Sequence, residues 1–528
     1  MDWIRAIEHD RLSAGKPKVI RHGPLQIAVL RLGERVFAFA NRCPHEGYPL
    51  ADGHADENCV LTCHWHNWKF NLHDGNNLYD GDNLRTFPTK TESDWIWIDV
   101  APRPKDEVQA ELLGNLEGAF RDRDFGRMTR LLARFHFEEL GLDEPIRAAI
   151  GWSWDRFEYG MTHALGAIPS WLELADQAGE DTDRKIAYVS EIIDHLADDS
   201  LRQPAFTYTE ERVPWNETDF CRAVGREDEN AAVATLNEAL DRGLGWSALM
   251  PVFARAALSH YMGFGHALIY THAVGGIVER LGESVLPHVA RPLARYLCFA
   301  VREDRVPDFR RYAHYLELVP PSVAKASPDA LVMPFALRTN PAMSWTVESL
   351  AEHPPEAVFR ALVHQAANNM LAFDTQLHFS WRVPVRQNVS WLDFTHSLTF
   401  AEALVAHARR QPELWPAGLL QLACFVGRNQ AFLADTETPP AVDSVDAEQA
   451  WQACSTELAD HGLGLPILSC HLGKTAVACR RMAPLLGEDT QRRLFAALRR
   501  FFEAPIKQKH VRRTVHQALD LVGRDYRD

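Results

Sequence analysis

The chain has 528 residues, 46% of them hydrophobic and 24% charged, with a formal net charge of -15. That length exceeds one compact domain and predicts about two to four, while the acidic balance argues against nucleic acid or an anionic membrane as the main partner. No run approaches the ~18 apolar residues of a membrane span, and the opening MDWIRAIEHDRLSAG lacks the apolar core of a signal peptide. The nine cysteines lie mostly in apolar stretches such as LQLACFVG, the placing of buried free thiols in a reducing cytoplasm.

The first hundred residues alternate with period two. LQIAVLR and RVFAFAN flank Leu32-Gly33-Glu34 as a hairpin would, and DWIWIDV sets Trp95 and Trp97 against Ile96, Ile98 and Val100. APRPKDE then breaks the pattern with two prolines and charge. From about Val108 apolar residues recur three and four apart, and helical segments follow to the end. The stretch Val319 to Pro355 and WRVPVRQNVSW read as loops or caps, and the basic KQKHVRRTVHQ as a solvated helix face, with reductase docking as its alternative. The expected fold is multidomain α+β: a small all-β domain over residues 1–103 and a large all-α domain over 104–528.

Within the β-rich part, CPHEGYPL from Cys43 and CHWHNWKF from Cys63 each offer one thiolate and one imidazole, with 17 residues between His45 and Cys63. Two such loops form a Cys2His2 set, which suits tetrahedral zinc or a [2Fe-2S] cluster with both imidazoles on one iron. The pattern C-x-H…C-x-x-H with an aromatic strand and a Gly turn after it resembles the Rieske ferredoxins. The resemblance covers residues 1–103 and implies that Cys43 and Cys63 bind one iron, and His45 and His66 the other. Asn67 stands where that family often has Gly. Pro44 and Trp65 stand where cytochrome bc-type members carry disulfide cysteines, which places this head nearer the dioxygenase-associated ferredoxins. His54, His64 and His73 read as solvated loop residues, and Cys59 as a packed strand thiol.

The helical part carries histidine inside apolar runs: His163, His266, His272, His396 and His471. A lone buried histidine is ordinarily a hydrogen-bonded structural residue; five flanked by small residues suggest a shared site. His266 and His272, six apart, stand about 120° from each other on a regular helix. They share a cavity only if the helix breaks, at Gly263 or Gly265, or if a substrate spans both faces. His471 and Lys474, three apart, share a face. Glu191 with His195, and Glu457 with His461, sit in polar surroundings that read as exposed helix faces, so no carboxylate pair of di-iron type is visible. GHALIYTHAVGGIVERLG, FTHSLTFAEAL and CHLGKTAVACRRM resemble the boxes of the questin oxidase-like family, with THALGA at His163 a looser match. Where the last box often continues Thr-Glu, Thr475 is here followed by Ala476. The resemblance implies oxygenation of a polycyclic aromatic ketone or quinone by Baeyer–Villiger-type ring cleavage.

Neither G-x-G-x-x-G after a strand nor a P-loop is present, so no built-in nucleotide site is signalled. The expectation is a cytoplasmic, O2-dependent oxygenase whose Rieske cluster feeds a helical active site, with electrons from a separate NAD(P)H-dependent ferredoxin reductase. There His266, His272, His396 and His471 bind a non-haem iron or act as acid–base groups on an aromatic substrate, His163 joins them, and Lys474 stabilises developing negative charge. Glu402 is expected in a salt bridge. The alternative is an electron-transfer or redox-sensing protein whose helical part is a docking scaffold.

Overall fold

The computed structural model describes residues 1–79, 81–320, 331–383, 388–435, 438–442 and 445–523. Parts of the stretches expected as loops or caps at 319–355 and 381–391, namely 321–330 and 384–387, lie outside the described residues, and the first stretch contains a helix, Thr339–Glu352. The chain forms two compact units, Met1–Pro145 and Ile146–Asp528.

The described residues of the first unit form ten strands: β1 (Trp3–Glu8), β2 (Lys18–His22), β3 (Leu25–Leu32), β4 (Arg35–Ala40), β5 (His54–Ala55), β6 (Val60–Thr62), β7 (Lys69–Asn71), β8 (Thr86–Phe87), β9 (Thr89–Glu92) and β10 (Trp95–Asp99). They pair as three sheets, β1-β10-β9, β2-β3-β4-β8 and β5-β6-β7. Alternation along β3 explains the double core. Ile27 and Val29 join Phe87, Ile96 and Ile98 on one side, and Ala28 and Leu30 join Phe39, Leu61 and Phe70 on the other, as successive side chains of a strand must. Gly33 takes φ 61° in the two-residue β3–β4 turn, where a turn matched to strand twist needs positive φ. In β10 the two tryptophans face outward, with Arg5 4.3 Å over Trp95 and Lys90 5.8 Å from Trp97.

Two helices, α1 (Lys105–Asp122) and α2 (Phe125–Phe137), belong to this first unit, so it extends past the composition break at 101–107, which coincides with the end of the sheets. Arg123 at φ 52° closes α1, and the Asp124 side chain accepts the Arg127 N–H to open α2. From α2, Arg127 reaches back to Asp82 at 2.7 Å, the two side chains being 7% and 0% exposed. A buried pair of this kind fixes where the helix sits.

The described part of the second unit is helical. Four of its helices close a ring: His163–Gln177 packs on His266–Leu281, that on Trp391–Ala408, that on Pro466–Met482, and the last returns to the first. Small residues set the approach. A Cβ on Gly166 would stand 2.7 Å from the Tyr270 ring, and one on Gly276 2.8 Å from Pro169. Ahead of His266 the backbone runs left-handed through Gly263 (54°), Phe264 (54°) and Gly265 (82°), so that His266 is the first residue of its helix. Among the described residues, no helix is long and apolar enough to cross a membrane.

Candidate functional sites

In the head, the two ligand loops repeat one backbone turn. The Cys43 N–H donates to the Tyr48 carbonyl at 2.8 Å and the Gly47 N–H returns to the Cys43 carbonyl at 2.8 Å. The Cys63 N–H donates to the Trp68 carbonyl at 2.8 Å and the Asn67 N–H returns to the Cys63 carbonyl at 3.0 Å. Gly47 (φ 78°) and Asn67 (φ 60°) hold the same left-handed place in the two loops. Asparagine is among the few side chains that accept it, which accounts for Asn67 where glycine is common.

The turns deliver two sulfurs to the inside and two imidazoles to the outside. Cys43 and Cys63 are 3% and 1% exposed and pack with Leu61 and Phe70. The His45 and His66 rings meet edge to face at 4.7 Å, and His45 stacks on Trp68 at 4.6 Å. Burial pushes the Cys43 thiol up to about 11, opposed by the backbone N–H groups of His45 and Glu46 directed at its sulfur. Burial and then the Arg130 charge hold the His45 ring neutral, and its Nδ1 is buried with no protein partner. Two buried sulfurs, that of Cys43 facing backbone donors, beside two imidazoles, one carrying an orphaned nitrogen, are a donor set that fits a Rieske-type [2Fe-2S] cluster. His54, His64 and His73 are exposed, as expected, but His54 opens strand β5 and is not in a loop. Cys59 is buried but stands just before β6 with φ 61°, at a turn rather than in a strand.

In the second unit the ring of four helices aims one imidazole inward from each member. His163 Nε2 lies 3.0 Å from His266 Nε2, and His396 Nε2 3.1 Å from His471 Nε2. Single donor atoms of His163, His396 and His471 all lie within 4.8 Å of one another. The far sides of the rings are anchored. His266 Nδ1–H donates to the Gly263 carbonyl at 2.5 Å and His471 Nδ1–H to the Ile467 carbonyl at 2.6 Å, while the His396 ring bonds the Leu392 carbonyl. His163 Nδ1 meets the Tyr270 hydroxyl at 3.3 Å. A carbonyl accepts only, so Nδ1 carries the proton in His266 and His471, and their neutral rings present a bare lone pair at Nε2. Burial, followed by neighbouring positive charge, brings His266 down to about 4 and takes His163, His396 and His471 well below the ordinary imidazole value. Lys474 is 4% exposed, its ammonium form disfavoured by burial, and its Nζ has no partner. The convergent neutral imidazoles of His163, His396 and His471, with His266 beside them, can hold a divalent transition metal.

The structure thus gathers His163, His266, His396, His471 and Lys474, and leaves His272 apart. The left-handed break precedes His266 and does not fall between the two histidines, so His272 keeps to another face of its helix. There its Nε2 meets Glu402 Oε1 at 3.0 Å; Glu402 also accepts from Arg481 at 3.2 Å, and Arg481 pairs with Glu173 at 2.5 Å. Burial would raise the Glu402 carboxyl, but His272 and Arg481 outweigh it and bring it to about 2. A cavity of about 30 Å³ touches His272, Glu402 and Lys474, room for about one water. Of the helix faces expected to be exposed, Glu457 is exposed, but His195 is 2% exposed, and Glu191 pairs with His461 at 3.1 Å with both side chains largely buried. Tyr270 and the carbonyl anchors were not anticipated. The signal for Tyr270 is its place one turn after His266.

Residues 2–88 match the model of the Rieske [2Fe-2S] domain family. Over 107 residues the chain is 28% identical to the ferredoxin component of the alkene monooxygenase system of Xanthobacter autotrophicus (strain ATCC BAA-1158 / Py2), covering 20% of this chain and 88% of that protein. Among solved structures, the ferredoxin of carbazole 1,9a-dioxygenase from Nocardioides aromaticivorans IC177 is 23% identical with a TM-score of 0.18, covering 20% of this chain and all of that one. The Sphingomonas yanoikuyae B1 ferredoxin is 23% identical with a TM-score of 0.18, covering 19% and 100%. The N-terminal domain is a Rieske [2Fe-2S] domain resembling ferredoxins of oxygenase systems, with an electron-transfer role and a Rieske-type cluster.

Proposed function

We propose that the chain is a questin oxidase-like oxygenase whose Rieske cluster, held by Cys43, Cys63, His45 and His66, feeds electrons to the four-histidine site, where a polycyclic aromatic ketone or quinone undergoes Baeyer–Villiger-type ring cleavage. The observation that carries this is the convergence of His163, His266, His396 and His471, one from each of four packed helices, in a chain that also has a one-electron relay. The alternative of a docking scaffold gives such a buried set of imidazoles no task. The likeness to a monooxygenase ferredoxin component supports one-electron delivery to an oxygen-using centre. Without a nucleotide motif in the sequence, the two electrons needed per oxygenation come from a separate NAD(P)H-dependent ferredoxin reductase.

A non-haem iron bound by the four imidazoles would supply O2 activation. The carbonyls of Gly263, Ile467 and Leu392 keep the Nε2 atoms of His266, His471 and His396 turned inward, and the Tyr270 hydroxyl holds His163. Lys474 faces developing negative charge on the substrate oxygen. His272 and Glu402 stand one cavity away, placed to exchange a proton with a water beside Lys474.

Metal and sulfide content tests the reading. A Cys43→Ser variant, deprived of the cluster, retains about one iron per chain when purified anaerobically, and His266→Ala or His471→Ala in that background loses it, since too few ligands remain. NADH alone should turn the protein over poorly, and an added ferredoxin reductase should restore electron flow. A cluster-free variant without iron that still oxygenates substrate given chemical reductant would overturn the metal.

A further inference from the structure

We propose that the groove between Asp374–Val383 and Ala504–Arg513 binds a nucleoside diphosphate, a planar ring carrying phosphate charge. The groove measures about 930 Å³, within the size of small-molecule sites. Arg382, Lys507, Lys509, Arg512 and Arg513 line it, and none has a carboxylate ion-pair partner among the described residues. Its two carboxylates, Asp374, which accepts the Gln376 N–H at 3.0 Å, and Glu503, which pairs with Arg499 at 2.5 Å, are outnumbered by these five cations and Arg500. In a chain of net charge -15 this is an uncompensated concentration of positive charge.

Aromatic rings hold these cations without neutralising them. Arg512 lies 3.8 Å over the Trp381 ring, whose partner in stacking is His516 at 4.6 Å, and Arg513 lies 4.8 Å over Phe379. A guanidinium stacked on a ring keeps its N–H edge free, the edge that grips phosphate oxygens. Three further nitrogens await a partner: Arg513 Nε and both ring nitrogens of His378 are buried with none, and a buried polar group without a partner is destabilising. Burial, then the charges of His510, Arg513 and Lys507, hold His378 down to about 4. Its neutral ring therefore offers one donor and one acceptor, the pairing that a base edge presents. Leu377, Val383, Trp391 and Val511 supply apolar wall for the ring. A solvated basic helix face, the plain expectation for this segment, explains neither the concavity nor the unpartnered nitrogens.

Calorimetry on the full chain with ADP, adenosine and pyrophosphate separates the parts. ADP should bind at least about tenfold more tightly than either fragment, a difference of about 1.4 kcal/mol, and more weakly as salt rises. Arg512→Ala/Arg513→Ala should weaken ADP at least about tenfold with unchanged circular dichroism. If that variant fails to fold, Arg382→Ala/Lys509→Ala, outside the terminal helix, is the second measurement. Pyrophosphate binding as tightly as ADP overturns the ring half of the proposal, adenosine doing so overturns the phosphate half, and no binding of ADP at millimolar concentration overturns it whole.

Discussion

His163 Nε2 and His266 Nε2 stand 3.0 Å apart although the Nδ1 proton of His266 is committed to the Gly263 carbonyl. The neutral His163 ring can supply the proton between them, its Nε2–H donating to the bare His266 Nε2 while its Nδ1 accepts from the Tyr270 hydroxyl. The His396–His471 contact at 3.1 Å lacks such a proton: His471 gives its own to Ile467 and the His396 ring bonds the Leu392 carbonyl, so two lone pairs face and repel unless a cation lies between. Ferrous iron should therefore raise the melting temperature of chelator-treated protein. At one hundred times Kd the gain is about 2.7 kcal/mol, and His396→Ala should abolish most of it. An unchanged melting temperature across a ferrous titration counts against metal.

The repeated turn in the head makes a sharper test than removal of a ligand alone. Cys43→Ser or His66→Ala should erase the visible and paramagnetic signals of the cluster while the second compact unit stays folded. Gly47→Ala forces a Cβ into φ 78°, at about 1 kcal/mol, whereas Asn67→Gly should be neutral. Measured cluster retention should rank Asn67→Gly with the parent and Asn67→Val well below it. Equal retention in all of them would mean that the left-handed positions do not hold the loops.

Much of this was legible in the residues because it is local. The cluster ligands lie within two short boxes, so spacing alone brought Cys43, His45, Cys63 and His66 together, and period-two alternation marked β3, β4 and β10. The histidines in apolar runs were legible as buried, but a run does not say which face of a helix meets which neighbour. His272 was grouped with His266 for that reason, and only the position of the break at Gly263–Gly265 separates them. Glu191 and His461 looked exposed because their neighbours are polar, yet they satisfy each other inside. The second helix is tied to the head by a contact across 45 residues, Arg127 to Asp82, and no local pattern announces such a pairing.

That contact predicts a large effect. Asp82 is fully buried and faces Arg127 at 2.7 Å and Arg134 at 3.2 Å. Asp82→Asn leaves two guanidinium groups without their counter-charge and should destabilise the first unit by about 3–5 kcal/mol. Asp82→Asn/Arg127→Met should recover part of the loss, because one stranded charge is removed. Thermal unfolding followed through the cluster's visible band reports both, and full additivity of the two substitutions would show that the pair is not coupled.

The pairing of Glu402 with His272 and Arg481 predicts how the second unit responds to acid. The folded carboxyl sits at about 2 against an ordinary value of 4.5. A depressed carboxyl stabilises the fold fully above the ordinary value, and that contribution is lost as pH falls through the folded one. The window is therefore from about pH 4.5 down to about 2, and the difference corresponds to roughly 3 kcal/mol. With the Glu402 side chain 12% exposed, solvent screening removes little of it. Glu402→Gln should lower stability at pH 7 and flatten the acid limb of the curve below pH 4.5. His272→Gln should give a partial version of the same change, because Arg481 still holds the carboxylate at 3.2 Å. Denaturant unfolding of parent and variants at stepped pH, followed in the helical signal, measures the slope directly. Parallel curves for parent and Glu402→Gln through that window would show that the carboxylate is not held by its two partners.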